Sequence, residues 1–106
     1  MMKPQHVIEQ EEMKRLYFEK GEDLKLIILP SKAHRKCIVL SMISECFLYG
    51  HQYTEFEVST ILKPIYEDYV LIRRYLIDFR LLRRSKDGSI YERMSQHDKS
   101  LCIYHF

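Results

Sequence analysis

The chain has no tryptophan, and only three glycines, three prolines and three cysteines in 106 residues. So few glycines and prolines exclude a linker-rich or low-complexity polypeptide and leave turns to a handful of positions. Cys37, Cys46 and Cys102 are odd in number and contain no CxxC pair. Nine residues separate Cys37 from Cys46, which puts them on opposite sides of a helix, and buried free thiols in a reducing compartment are the expectation. His97, Cys102 and His105 match no zinc spacing, so no metal is expected. No apolar run approaches the roughly 18 residues of a membrane helix. The first twenty residues are charged and lack the apolar centre of a signal peptide, so a cytoplasmic location is expected. Catalytic motifs are missing too. No carboxylate is tied to a nucleophile or a glycine-rich loop, and Ser41 and Ser44 have no GxSxG context. Neither an enzyme nor a cofactor is expected.

Apolar residues make up 46% of the chain, enough for one globular domain and too many for a disordered one. The net charge of +2 is too small to identify a partner, but its distribution is informative. Met1 to Pro30 carries five basic against six acidic residues, whereas Lys63 to Arg93 carries eight basic against five acidic. Arg73, Arg74, Arg80, Arg83 and Arg84 account for most of that surplus.

Residues 5–20 read as a polar helix with Met13, Leu16 and Tyr17 on one stripe, ended by Gly21-Glu22. The apolar run Leu24 to Leu29 predicts a short strand or extended arm stopped by Pro30. Ser31 is the expected N-cap of the longest helix, running to about Leu48, with Ile38, Met42, Ile43, Cys46 and Phe47 on its apolar face. After a short extended link, 51–53, Thr54-Glu55-Phe56-Glu57 has the form of a capping box. The helix it opens draws its apolar surface from Phe56, Val58, Ile61, Leu62 and Ile65. Asp68 caps a third helix, which runs to about Phe79. Tyr69, Ile72, Tyr75, Leu76 and Phe79 lie on one of its faces, and Val70, Arg74, Ile77 and Asp78 on the other. Leu82-Arg83-Arg84-Ser85 and Ser89-Ile90-Tyr91-Glu92-Arg93 bracket Lys86-Asp87-Gly88, and Asp-Gly between strand-like runs is a hairpin signal.

That order predicts a mainly α fold with a small antiparallel sheet: a winged-helix-like three-helix core plus a β-hairpin wing. The link 51–53 would give the sheet its third strand. Residues 1–22 form an N-terminal helical extension, 23–93 the winged-helix-like domain, and 94–106 a tail that packs on the domain or on a partner.

Three segments carry a resemblance: Tyr53-Thr54-Glu55-Phe56-Glu57-Val58, then Ile72-Arg73-Arg74-Tyr75-Leu76-Ile77-Asp78, then Gly88-Ser89-Ile90-Tyr91-Glu92-Arg93. Together they resemble an uncharacterised bacterial domain-of-unknown-function family over roughly Leu26 to Arg93. Its members occur alone or behind ArsR-type helix-turn-helix domains in proteins read as transcriptional regulators. The resemblance implies a regulatory context and brings no established activity. In the fused members the other domain would be the obvious DNA reader. Two positions depart from the pattern: Arg80 stands where glycine is frequent, and Ser59 where asparagine is frequent. An arginine there makes a left-handed helix cap costly.

The second helix of a helix-turn-helix enters the major groove, and arginine reads guanine or holds phosphate. Candidate nucleic-acid contacts are Arg74 on the outward face of the third helix, Arg83 and Lys86 on the wing, and Arg73 on the flank. Arg73 borders the buried face and has a structural reading as well. Val70 and Ile77 share the Arg74 face, and exposed aliphatics there suit a protein partner. Double-stranded DNA, another regulator subunit and a second copy of the chain are the partners these features admit. A continuous positive face over helix and wing would favour DNA. A mixed face with an apolar patch would favour a protein-interaction or effector-sensing module.

Overall fold

A computed structural model of the protein describes residues 4–94. In chain order the elements are α1 (Gln5–Tyr17), α2 (Ala33–Ser44), β1 (Gln52–Thr54), α3 (Glu55–Leu62), α4 (Tyr69–Asp78), β2 (Leu82–Arg84) and β3 (Ile90–Arg93). The two helices that follow β1 are set by local caps. The Thr54 hydroxyl accepts from the Glu57 N–H at 3.2 Å, and the Glu57 carboxylate accepts from the Thr54 N–H at 2.9 Å. This reciprocal pair satisfies two of the N–H groups that a helix start leaves without partners. Asp68 does the same for α4 by accepting from the Leu71 N–H.

α4 ends on a left-handed residue that is not glycine: Arg80 has φ +61°. Its N–H donates to the Ile77 carbonyl at 3.0 Å, and the Leu81 N–H donates to the Leu76 carbonyl at 2.8 Å. These are the two bonds of a Schellman motif. Leu76 and Leu81 are both buried. The cap that an arginine disfavours is therefore made, at the expense of its backbone conformation.

β3 is the central strand of a three-stranded antiparallel sheet ordered β1-β3-β2. Tyr53 and Arg84 both lie opposite Tyr91 in the two ladders. One core gathers Val39, Leu40 and Ile43 of α2, Val58 and Leu62 of α3, Ile72 and Leu76 of α4, and Leu82 and Tyr91 of the sheet. Each large aliphatic side chain fully withdrawn from water contributes about 1.5–3 kcal/mol. α1 lies along α2. The pair is tied by Glu9 to His34 at 2.8 Å and by Arg35 donating to the Tyr17 hydroxyl at 2.9 Å.

Several sequence expectations need correction. Leu24 to Leu29 forms no named strand, so of its two readings only the extended arm is left. Leu26 makes a single antiparallel bridge to Phe18, while its N–H donates to the Ile65 carbonyl on the other side of the domain. Lys32, rather than Ser31, is the N-cap of α2, with no side-chain hydrogen bond. α2 also stops at Ser44, whose buried hydroxyl donates back to the Ser41 carbonyl at 2.6 Å, and Phe47 reaches the core from the turn beyond. Phe56 is 77% exposed, because α3 has barely two turns and buries Val58 and Leu62 instead. Leu16 lies outside its expected stripe and is exposed. Cys46 is an exposed free thiol, and Cys37 is buried but disulfide-bonded rather than free. His97, Cys102, His105 and the expected packing of the tail lie outside the described residues.

Candidate nucleic-acid interface

Between α4 and the hairpin runs a groove of about 780 Å³. Its basic lining is Arg73, Arg74 and Arg84; its acidic lining is Glu55, Asp68, Asp78 and Asp87. The face of α4 is therefore mixed in charge. Val70 lies in the same groove and is 50% exposed. Ile77, expected as exposed, is partly buried and packs against the core, so the aliphatic patch is smaller than the helical pattern suggested.

The neighbouring arginines of α4 divide sharply. Arg73 donates to the Ser59 hydroxyl at 3.2 Å and pairs with Glu55 at 3.0 Å, and its side chain is only 18% exposed. It binds α4 to α3, and Ser59 serves as its acceptor. Arg74, about 100° further round the helix, is exposed and has no hydrogen bond or ion pair among the described residues. On the wing, Arg83 pairs with Glu92, its register partner on β3. Lys86 is exposed and without a partner among the described residues.

The hairpin loop is ordered from within. The Asp87 carboxylate accepts from the Ser85 hydroxyl at 2.7 Å, the Ser89 hydroxyl at 2.7 Å and the Ser89 N–H at 3.0 Å. These donors, the Ser85 hydroxyl foremost, hold its pKa down at about 2. Gly88 takes the φ of +76° that the turn requires. The loop thus spans five residues, 85–89, because Ser85 and Ser89, expected in the strands, belong to the turn instead.

A second depression, of about 380 Å³, opens on the outer side of the wing. Four cations line it, Arg80, Arg83, Arg84 and Lys86, and no carboxylate does. Arg84 lines both depressions. Arg80 and Arg84 did not stand out in the sequence as contacts. Strand alternation could not have marked Arg84, since it shares a face with buried Leu82 and would be expected inward, yet it is exposed at the end of β2. Arg93 has the opposite role to the one its charge suggests. It donates to the Phe47 carbonyl at 2.9 Å and stacks over the Tyr49 ring at 3.8 Å, anchoring β3 to the end of α2. Among the described residues no group of three or more His, Cys, Asp or Glu is placed to hold a metal ion, and no helix is long and apolar enough to cross a membrane.

Three helices over a β1-β3-β2 sheet, with the last two strands forming a hairpin beside the third helix, define a winged-helix-like domain. The chain belongs to a family of uncharacterized proteins conserved in bacteria (DUF2087), whose model matches residues 25–93. α1 lies outside the matched span. No curated protein and no solved structure matches the chain.

Proposed function

We propose that this domain is a transcription-associated winged-helix module that contacts the backbone of nucleic acid, with the wing contributing more than α4. One observation carries the reading: Arg74, Arg84 and Lys86, on α4 and the hairpin, are exposed and have no partner among the described residues. Cations not already engaged in ion pairs are available to phosphate, and phosphate contacts supply most of the non-specific affinity of such proteins. The carboxylates of the α4 groove limit how far that helix can approach a polyanion. Arg74 is the one basic residue on its outward face.

The test is binding of a labelled random-sequence duplex by the full chain over a series of salt concentrations. Arg74→Ala should weaken binding and lower the slope of log affinity against log salt by about 1, as for one lost phosphate contact. Arg73→Ala should mainly lower stability, because it leaves the half-exposed Glu55 and the Ser59 hydroxyl without their partner. If the unmutated protein shows no duplex binding even at low salt, the reading fails.

The mixed groove with half-exposed Val70 favours a second reading. In it, α4 and the wing recognise a protein, another regulator subunit or a second copy of the chain. Here Val70→Asp should abolish any concentration-dependent association seen by sedimentation and leave duplex binding unchanged.

A further inference from the structure

Arg80 is the only non-glycine residue with a left-handed backbone among the described residues. A side chain with a Cβ is strained in that conformation, whereas glycine makes the same two helix-ending bonds without strain. Nothing in the fold uses the Arg80 guanidinium: the side chain is exposed and has no partner among the described residues. A strained residue whose side chain does no structural work is a reason to look for a ligand. That side chain lines the outer depression with Arg83, Arg84 and Lys86, over a floor of Ile77, Leu82 and Met94.

The strand beside it adds donors. The Met94 N–H bonds to the Leu81 carbonyl and the Ser85 N–H to the Ile90 carbonyl. With Leu82 opposite Arg93, Arg83 opposite Glu92 and Arg84 opposite Tyr91, the hydrogen-bonded pairs alternate. Leu82 and Arg84 therefore turn their N–H groups to the open side of β2, the edge strand of the sheet. We propose that this outer edge of the wing is a phosphate-binding site for the nucleic-acid backbone, with Arg80 as a direct contact and Arg84 and Lys86 beside it. The proposal rests on the nucleic-acid reading above and adds a site that the α4 groove does not contain.

Cations on an edge strand also serve to repel a second sheet. That role accounts for Arg83 and Arg84 on β2, but it does not account for an arginine placed outside the strand in a strained conformation. An acidic peptide would suit the same charges. A polyanion is favoured because the cations do not stop at the depression: Arg84 links it to the α4 groove and Arg74. A continuous phosphate backbone can follow such a track.

Arg80→Gly separates fold from function. It should raise the urea midpoint, because the strain is removed, and should weaken binding of the random duplex roughly three- to tenfold at low salt. The salt slope should fall by about 1. Arg80→Asn, which keeps a residue tolerant of the left-handed region, should lose the same affinity and so rule out a flexible turn as the cause. If the unmutated chain binds duplex and both variants bind it equally well, the phosphate site is overturned while the broader reading survives. If the unmutated chain binds no duplex, both fall. If a poly-glutamate peptide displaces the duplex at equal charge concentration and Arg80→Gly weakens only the peptide, the site is for acidic protein segments and the proposal is overturned.

Discussion

Two sets of arginines in the C-terminal half look alike in sequence and behave in opposite ways. Arg73 and Arg93 face inward and are used up by the fold: one joins α4 to Glu55 and Ser59, the other joins β3 to the Phe47 carbonyl and the Tyr49 ring. Arg74, Arg80 and Arg84 face outward, and no internal contact uses their side chains among the described residues. The surplus of positive charge is thus not one patch. Part of it is internal scaffolding, and the remainder lies along the outer α4 face and the wing. A count of basic residues overstates the surface available to a polyanion, and the position of each residue on its element decides its role.

The sharpest way to break this contrast is at Arg93. Arg93→Ala removes a charged hydrogen bond to a main-chain carbonyl and a cation–π contact, and leaves the Phe47 carbonyl without its donor. A loss of about 2–3 kcal/mol in urea unfolding is expected. Arg93→Lys keeps the charge but loses the planar stack, so it should recover only part of that loss. Duplex binding by the folded fraction should be unchanged. If instead Arg93→Ala is as stable as the unmutated chain and weakens duplex binding, Arg93 belongs with the outward set and the division fails.

A smaller effect is expected at the start of α3, where the inward set is built. Thr54→Ala removes one half of the capping box and should lower stability by about 1 kcal/mol, with Glu57 left to cap alone. Unfolding at an unchanged denaturant midpoint would show that the box contributes nothing net.

What could be read in advance was local. The Thr54–Glu57 box, the Asp68 cap, the hairpin strands and the buried face of α4 each depend on residues within a few positions of one another, and all are found. What could not be read depends on partners distant in sequence. Leu24 to Leu29 has the composition of a strand, yet among the described residues its pairing is limited to one bridge with Phe18 and the bonds of Tyr17 and Glu19 beside it, and Ile65 takes the Leu26 N–H. Phe56 fits the apolar pattern of α3 but sits in its first turn, away from the core. The separation of Arg73 from Arg74 was visible as an angle on a helix, but Glu55 lies eighteen residues away and gave no signal. Arg93 was invisible as an anchor because its acceptor, Phe47, is 46 residues distant. The wing-edge depression likewise joins the end of α4 to β2 and the hairpin loop, which no short motif encodes.

The smallest effect concerns the wing itself, on which the outward set depends. Asp87 is fully exposed, yet its three donors hold its pKa at about 2, against an ordinary 3.8. A carboxyl whose folded pKa lies below its unfolded value stabilises the fold above the unfolded pKa, and that contribution disappears as pH falls through the folded one. The window is therefore about pH 4 down to pH 2, with nothing expected from this group near neutrality beyond a constant contribution. Asp87→Asn keeps an oxygen acceptor for Ser85 and Ser89 but cannot titrate, so its stability should vary less with pH across that window. Glu57, also held below its ordinary value by the Thr54 N–H, contributes in the same direction and remains in the variant. Part of the acid dependence should accordingly persist in Asp87→Asn and shrink further in the double change with Glu57→Gln. Urea midpoints measured at several pH values between 2 and 5 give the comparison. Parallel curves for the unmutated chain and Asp87→Asn would mean that the serines do not hold the carboxylate, and that the loop presenting Lys86 is ordered by Gly88 and the strands alone.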